Sequence, residues 1–225
     1  MILQLITDRR RLAPGASGDG ALRCLLEQIR HAVDAGLDLV QVREPDLEGR
    51  ALAAVVSQAL SLTRGTTTRL VVNDRLDVAL ACGTDGVHLR GTSFSAAHVR
   101  AVTGPDFVIG RSIRSVDETK TAGPVDYLVA GTVWSTPSKP DAHPLLGLDG
   151  LRAIVASTSV PVLAIGGVGP DRIDALSEAG AAGVAAIGAW MSAGSDCRAT
   201  PLHAVARAFR GGRDLANMSR PTPHR

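Results

Sequence analysis

The sequence predicts a single (β/α)8 barrel, and three observations carry that prediction. Eight short apolar runs rich in Val, Ile and Leu recur along the chain, and each is followed by a stretch with helical periodicity. The runs are apolar throughout rather than alternating, as in a parallel sheet buried on both faces. The repeat averages about twenty-six residues with no linker between halves, as in consecutive βα units closing on themselves. The rival arrangement is an open doubly wound sheet, but no G-x-G-x-x-G follows the first run.

In chain order, strands are expected at 2–6 (ILQLI), 37–42 (LDLVQV), 69–72 (RLVV), 85–89 (DGVHL), 106–110 (DFVIG), 125–130 (VDYLVA), 160–167 (VPVLAIGG) and 182–188 (AGVAAIG). Between the first two, ALRCLLEQIRHAVDAG places Leu22, Leu25, Leu26, Ile29 and Val33 on one face, and Gly36 ends the helix. RLAPGASGDG (11–20) ahead of it is Gly- and Ser-rich, so it is expected as a loop on the active face, a flap or a plain surface loop. DLEGRALAAVVSQALSL, LDGLRAIVAS, DRIDALSEAG and TPLHAVARAFR supply further helices, with Pro170 opening and Gly180 closing the third of these four. The helices after strands 3 and 5 are expected to be short. The barrel spans 1–210, and 211–225 forms a basic tail without periodicity, expected to be disordered.

Composition excludes several classes. Lys plus Arg is 24 and Asp plus Glu is 22, a net charge of +2, and the last fifteen residues contribute all of it through Arg213, Arg220 and Arg225 against Asp214. A neutral body argues against a nucleic-acid surface or a polybasic membrane patch. At 3% aromatic residues, stacking platforms for bases or sugars are not expected. Cys24, Cys82 and Cys197 are widely spaced and odd in number, a poor disulfide framework that fits a reducing cytoplasm. There is no apolar stretch of membrane-spanning length and no leader-like start.

In such a barrel, chemistry belongs at the carboxyl ends of the strands. Polar residues collect there: Thr7-Asp8-Arg9, Gln41-Val42-Arg43-Glu44, Asn73-Asp74-Arg75, His88-Leu89-Arg90, Gly110-Arg111-Ser112, and Thr136-Pro137-Ser138-Lys139 beyond strand 6. Gly166 and Gly167 after strand 7, with Ile187 and Gly188 after strand 8, expose backbone amides suited to one phosphate group; the alternative is that they only permit tight turns. Gln41 and Arg43, two apart on a strand, face the mouth together. Arg43 offers a planar fork to phosphate or an internal pair to Glu44 or Asp74. Gln41 offers donor and acceptor to a heteroaromatic edge. Asp74 is a hard oxygen ligand for Mg2+, or a clamp for Arg75 or Arg43. Lys139 is a phosphate-closing arm or a solvated lysine, and His88 an acid–base group or a hydrogen-bonded strand-end histidine.

Over residues 2 to 192 these segments, with GRSIRS, DYLVAGTVWSTPSKP and VPVLAIGGVGPDRIDALSEAGAAGVAAIGA, resemble thiamin phosphate synthase and its relatives, the thiazole tautomerases of the TenI group. The resemblance to the synthase implies coupling of a hydroxymethylpyrimidine diphosphate to a thiazole phosphate, with release of pyrophosphate and with Mg2+. It implies substrate contacts at Gln41, Arg43, Asn73, Ser112, Thr136, Ser138 and Lys139, metal at Asp74, and thiazole phosphate on Gly166, Gly167, Ile187 and Gly188. Arg43, Ser112, Lys139 and His88 form the expected catalytic set. The chain departs from the family at three points. The motif lysine is Pro45, the second metal carboxylate is Ser93, and the tautomerase histidine is Arg114. His88 or Glu44 would then have to move the tautomerase proton, and Arg90, Arg111 or Arg114 could supply fixed positive charge. Three readings stay open: synthase, metal-independent tautomerase, and a non-catalytic binder of thiazole or thiamin phosphate. The expected partners are small phosphates and diphosphates and, for the chain itself, a second copy as a homodimer.

Overall fold

The computed structural model describes residues 1–136, 144–191 and 202–211. Eight parallel strands close into a barrel in sequence order: β1 (Ile2–Ile6), β2 (Leu39–Val42), β3 (Arg69–Asn73), β4 (Gly86–Leu89), β5 (Val108–Ile113), β6 (Tyr127–Gly131), β7 (Val162–Ile165) and β8 (Gly183–Ala186). β8 pairs with β1 through Leu3↔Val184 and its neighbours, which completes the ring. The expected (β/α)8 architecture is therefore the observed one.

The helices are α1 (Arg9–Leu12), α2 (Gly18–Asp34), α3 (Gly49–Thr63), α4 (Leu76–Cys82), α5 (Ala96–Thr103), α6 (Val116–Lys120), α7 (Gly147–Ala156), α8 (Ile173–Glu178) and α9 (Leu202–Phe209). As expected, α4 and α6 are short. The first connection corrects the sequence reading. Residues 9–12 coil into α1, and Gly18-Asp19-Gly20 is the first turn of α2, with the Ser17 hydroxyl accepting from the Gly20 amide at 3.2 Å. Serine is among the best helix caps, and it outweighs the low helix propensity of the two glycines. The buried stripe of α2 is also rotated from the expected one, through Ala21, Cys24, Leu25, Gln28, Ile29 and Ala32. Strand 5 runs three residues beyond its expected end, so Arg111 and Ser112 lie within the sheet.

Strand alternation divides the apolar residues into two cores. Ile6, Leu39, Val71, Tyr127, Val129, Leu163 and Ala185 point inward and fill the barrel. Leu5, Val40, Leu70, Leu128, Ala164 and Val184 point outward against the helices. Trp190, fully buried after β8, donates from Nε1 to the Gln4 carbonyl at 2.9 Å and packs on Phe209 of α9 with ring centroids 5.1 Å apart. That contact fixes the chain beyond β8 to the start of the barrel.

At the opposite, amino-terminal face, three aspartates repeat one device. Asp38 accepts from the Leu3 amide at 2.9 Å, Asp85 from Leu70 at 2.7 Å and Asp126 from Ile109 at 2.7 Å. Each precedes an even-numbered strand and ties it to the odd strand before it. Polar residues on this face serve stability, leaving the other face for ligands. Cys82 is a free thiol. Cys24 is disulfide-bonded, contrary to the expectation of unpaired cysteines, and Cys197 lies outside the described residues. So do Pro137, Ser138, Lys139 and 212–225.

Candidate active site

The inward parity of the strands brings Gln41, His88 and Ser112 into one buried polar layer. His88 is 2% exposed, with Nε2 2.9 Å from the Ser112 hydroxyl and Nδ1 3.1 Å from the Tyr127 hydroxyl. Gln4 Nε2 donates to the same Tyr127 oxygen at 3.1 Å. The Tyr127 ring occupies the space over Gly110, where a Cβ would fall 2.2 Å from the ring. Burial pushes the His88 pKa down to about 3, opposed by the charge of Asp74, and raises that of the Tyr127 phenol. His88 is thus a neutral imidazole with both nitrogens engaged, placed to hold Ser112 rather than to exchange protons with a ligand. Gln41 is 1% exposed, and its Nε2 lies near the Tyr127 hydroxyl without a hydrogen bond of regular geometry among the described residues. A buried, unsatisfied donor at the base of a mouth suits the acceptor edge of a bound ring.

Above this layer lies a rim of charge. Arg43 follows β2, and its backbone amide donates to the Thr7 hydroxyl at 2.9 Å. The alternative pairing with Glu44 or Asp74 does not occur. Glu44 turns the other way, accepting from Thr7 Oγ1 at 2.7 Å and from Arg9 Nη1 at 2.8 Å. Burial raises the Glu44 pKa, opposed by Thr7 and Arg9. Its bonds make it a clamp between the ends of β1 and β2. Among the described residues Arg43 has no ion-pair partner, so its fork is available to an anion.

Asp74 sits just past Asn73 in a left-handed conformation, φ 62°. Asp is one of the few side chains that tolerate this region. Its Oδ2 is ion-paired with Arg90, and its Oδ1 accepts from the Ser93 hydroxyl. Arg75, one of the expected partners of Asp74, instead pairs with Asp77. The residues here do not match a resident Mg2+ site. One carboxylate is present, both its oxygens are engaged, and a guanidinium lies where a cation would lie. Among the described residues no group of three or more His, Cys, Asp or Glu side chains converges.

Gly166 and Gly167 continue from β7, and Ile187 and Gly188 from its hydrogen-bonded neighbour β8, so the two glycine-bearing ends adjoin as expected. Gly166 has φ 96° and Gly167 φ 63°; a Cβ on Gly167 would fall 2.7 Å from Trp134 Cβ and 2.9 Å from the Ser135 carbonyl. The loop after β6 packs against this turn through the Trp134 amide, which donates to the Gly166 carbonyl at 3.1 Å. Thr136 ends the described part of that loop. Arg172 stacks over Trp134 at 4.7 Å and donates to the Gly167 carbonyl at 2.7 Å. Gly188 opens a single helical turn, Gly188–Trp190, whose first amides have no partner within the turn. Gly188 is exposed, and Arg11 of α1 reaches its backbone: a Cβ there would lie 3.6 Å from Arg11 Nη2.

Arg11, Gln4 and Tyr127 were missed in the sequence. Gln4 was the legible one, a polar residue at an inward position inside an otherwise apolar strand. Tyr127 could have been found by pairing its bulk with Gly110. Arg11 was hidden because its segment read as loop.

A parallel barrel with adjoining glycine turns after its last two strands has the arrangement in which barrels frequently place a phosphate site. The sequence relationships narrow this class. Residues 4–190 match the family model for thiamine monophosphate synthase, and the chain belongs to that TMP-TENI family. It is 38% identical over 193 residues to the thiamine-phosphate synthase of Azorhizobium caulinodans, covering 85% of this chain and 87% of that one. It is 39% identical over 176 residues to that of Moorella thermoacetica, covering 77% and 84%. The solved thiamine phosphate pyrophosphorylase of Pyrococcus furiosus superposes with a TM-score of 0.75 at 30% identity, over 93% of this chain and 94% of that one. A 3-hexulose-6-phosphate synthase shares the fold alone, with a TM-score of 0.64 at 20% identity.

Proposed function

We propose that the chain is a thiamin phosphate synthase, joining a hydroxymethylpyrimidine diphosphate to a thiazole phosphate and releasing pyrophosphate. Family membership and the similarity to synthases support the reaction, and one structural observation favours it over isomerisation. Among the described residues, the two groups expected to move the tautomerase proton are held away from the mouth, and the position of the tautomerase histidine carries an arginine. His88 is neutral and engaged at both nitrogens, Glu44 is locked to Arg9 and Thr7, and Arg114 stands exposed where a tautomerase histidine is expected.

The coupling needs no proton relay. The carbon–oxygen bond to the diphosphate breaks and pyrophosphate leaves with the electron pair. The thiazole nitrogen gives its lone pair to the pyrimidine methylene carbon. What the protein must supply is orientation and positive charge at the departing group. Arg43 faces that charge, with Lys139 as the proposed closing arm. Gln41, Asn73 and Ser112 orient the pyrimidine edge, with Thr136 and, outside the described residues, Ser138 as further proposed substrate contacts. Gly166, Gly167, Ile187 and Gly188 receive the thiazole phosphate. Mg2+ enters this reading only as a counter-ion of the diphosphate substrate.

Among the described residues no helix is long and apolar enough to cross a membrane. A homodimer completes the proposal; twofold dimers are the commonest soluble assemblies, and light scattering on the full chain decides it. The reading is tested by incubating purified protein with both substrates. It requires thiamin phosphate and pyrophosphate in equal amounts, with turnover falling about a hundredfold in R43A, since loss of one charge-stabilising donor costs about that much. No product from that pair, with isomerisation of a thiazole phosphate carboxylate instead, would establish the tautomerase.

A further inference from the structure

We infer that Arg90 is a built-in counter-cation for the diphosphate and takes the place of a resident metal at Asp74. The inference rests on the synthase reading and assigns the chemistry of one subsite within it.

Three observations carry it. Arg90 gives one terminal nitrogen to Asp74 Oδ2, while its side chain remains 63% exposed at the mouth. A guanidinium has five N–H donors in a fixed fork, so one contact to Asp74 leaves others for phosphate oxygens. Second, position 93 carries a hydroxyl that bonds twice within the same turn, and its backbone closes that turn. Ser93 Oγ donates to Asp74 Oδ1 and accepts from the Arg90 amide at 2.9 Å, and the Ser93 amide donates to the Arg90 carbonyl at 3.1 Å. An aspartate there would accept only, and would repel Asp74 rather than bond to it. Third, the turn is latched to the barrel. Arg111 of β5 donates to the Gly91 carbonyl at 3.0 Å, the Phe94 carbonyl at 3.3 Å and the Ser93 carbonyl at 3.5 Å. Arg90 is therefore mounted on a fixed turn, oriented by one carboxylate.

Charge balance agrees. A metal between two carboxylates and a guanidinium beside one carboxylate leave the same local sum, zero. Around the rim, β2 brings Arg43, β3 brings Asn73 and Asp74, and β4 leads to Arg90. The two arginines thus flank one stretch of the mouth, with the spacing set by a single intervening strand. Asp74 becomes a positioning residue, and Arg90 the group that touches substrate.

The test uses two probes on the full chain. Manganese alone is titrated and followed by electron paramagnetic resonance; pyrophosphate is titrated calorimetrically in the presence of EDTA. The wild type should show no site for manganese below the millimolar range, and the R90Q/S93D double variant should bind it at least about tenfold more tightly, since affinity follows carboxylate number. Without metal, the wild type should bind pyrophosphate, R90Q about ten- to a hundredfold more weakly, and R90K in between, as the charge returns without the fork. Tight manganese binding to the wild type that is lost in D74N, or unchanged pyrophosphate affinity in R90Q, would overturn the inference. The two readings fail separately. Pyrophosphate binding through Arg90 without any thiamin phosphate synthesis refutes the synthase and keeps the subsite. Synthesis by an unimpaired R90Q refutes the subsite and keeps the synthase.

Discussion

His88 gives a prediction whose size follows from its surroundings. The imidazole is buried between the Tyr127 and Ser112 hydroxyls and has its pKa near 3, against 6.5 in an exposed chain. In acid below pH 6.5 the unfolded chain binds a proton at this residue, and the folded chain does not until about pH 3. The unfolded state therefore binds more protons throughout that window, and stability falls as the pH falls. At about 1.4 kcal/mol per pH unit, the loss relative to neutral pH is about 2 kcal/mol at pH 5 and about 3 kcal/mol at pH 4. Other acid-sensitive groups lie on the same side, notably Asp46, held below its usual range by its hydrogen bond to Arg9. The contribution of His88 is isolated by comparison with H88Q, which keeps a polar side chain and loses the titration. Urea unfolding curves at pH 7, 5 and 4 measure it. H88Q starts less stable at pH 7 and loses about 2 kcal/mol less than the wild type between pH 7 and pH 5. Parallel losses in the two proteins would refute the neutral, sequestered imidazole. With it would go the argument that the reaction proceeds without a histidine acid or base.

Other consequences follow from particular contacts. Gly167→Ala forces a Cβ into Trp134 and Ser135 at a positive φ. It should raise KM for the thiazole phosphate at least about tenfold while costing about 1–2 kcal/mol of stability, read by steady-state kinetics and thermal melting. Arg11→Ala removes an exposed cation beside Gly188 and should raise that same KM about three- to tenfold, with an unchanged melting temperature. Asp85→Ala unties the Leu70 amide on the far face and should cost about 1–3 kcal/mol in urea unfolding, leaving kcat at the wild-type value.

The barrel was legible because its signal is repeated. Eight apolar runs with the same neighbours on either side leave few topologies to choose from. The inward direction of Gln41 was legible through strand parity, which it shares with Leu39, and the glycine turns through their place after the last two strands; Arg43 lies one residue past the end of β2. What could not be read was pairing between side chains distant in sequence. Nothing local says that Asp74 will take Arg90 and not Arg43 or Arg75, because that choice depends on which loop the barrel folds over the carboxylate. The same holds for Glu44, which read as a spare carboxylate until α1 brought Arg9 against it. The loop expected over 11–20 is confined to 13–17 for a different reason: the Ser17 cap starts α2 within the glycine-rich stretch. The device of Asp38, Asp85 and Asp126 was present as a pattern, an aspartate immediately ahead of alternate strands. Its meaning lies in hydrogen bonds to the preceding strand, which only the closed sheet supplies.

The central claim is that two phosphate-bearing groups sit on opposite rims of one mouth, the diphosphate against Arg43 and Arg90 and the monophosphate on the glycine turns of β7 and β8. A crystal structure of the chain with thiamin phosphate and pyrophosphate bound tests this most directly. The account predicts the monophosphate on the amides around Gly167 and Gly188, the pyrimidine edge on Gln41, and pyrophosphate on the two arginines. Both phosphate groups on the same rim, or a glycine pair whose amides point away from the ligand, would contradict it.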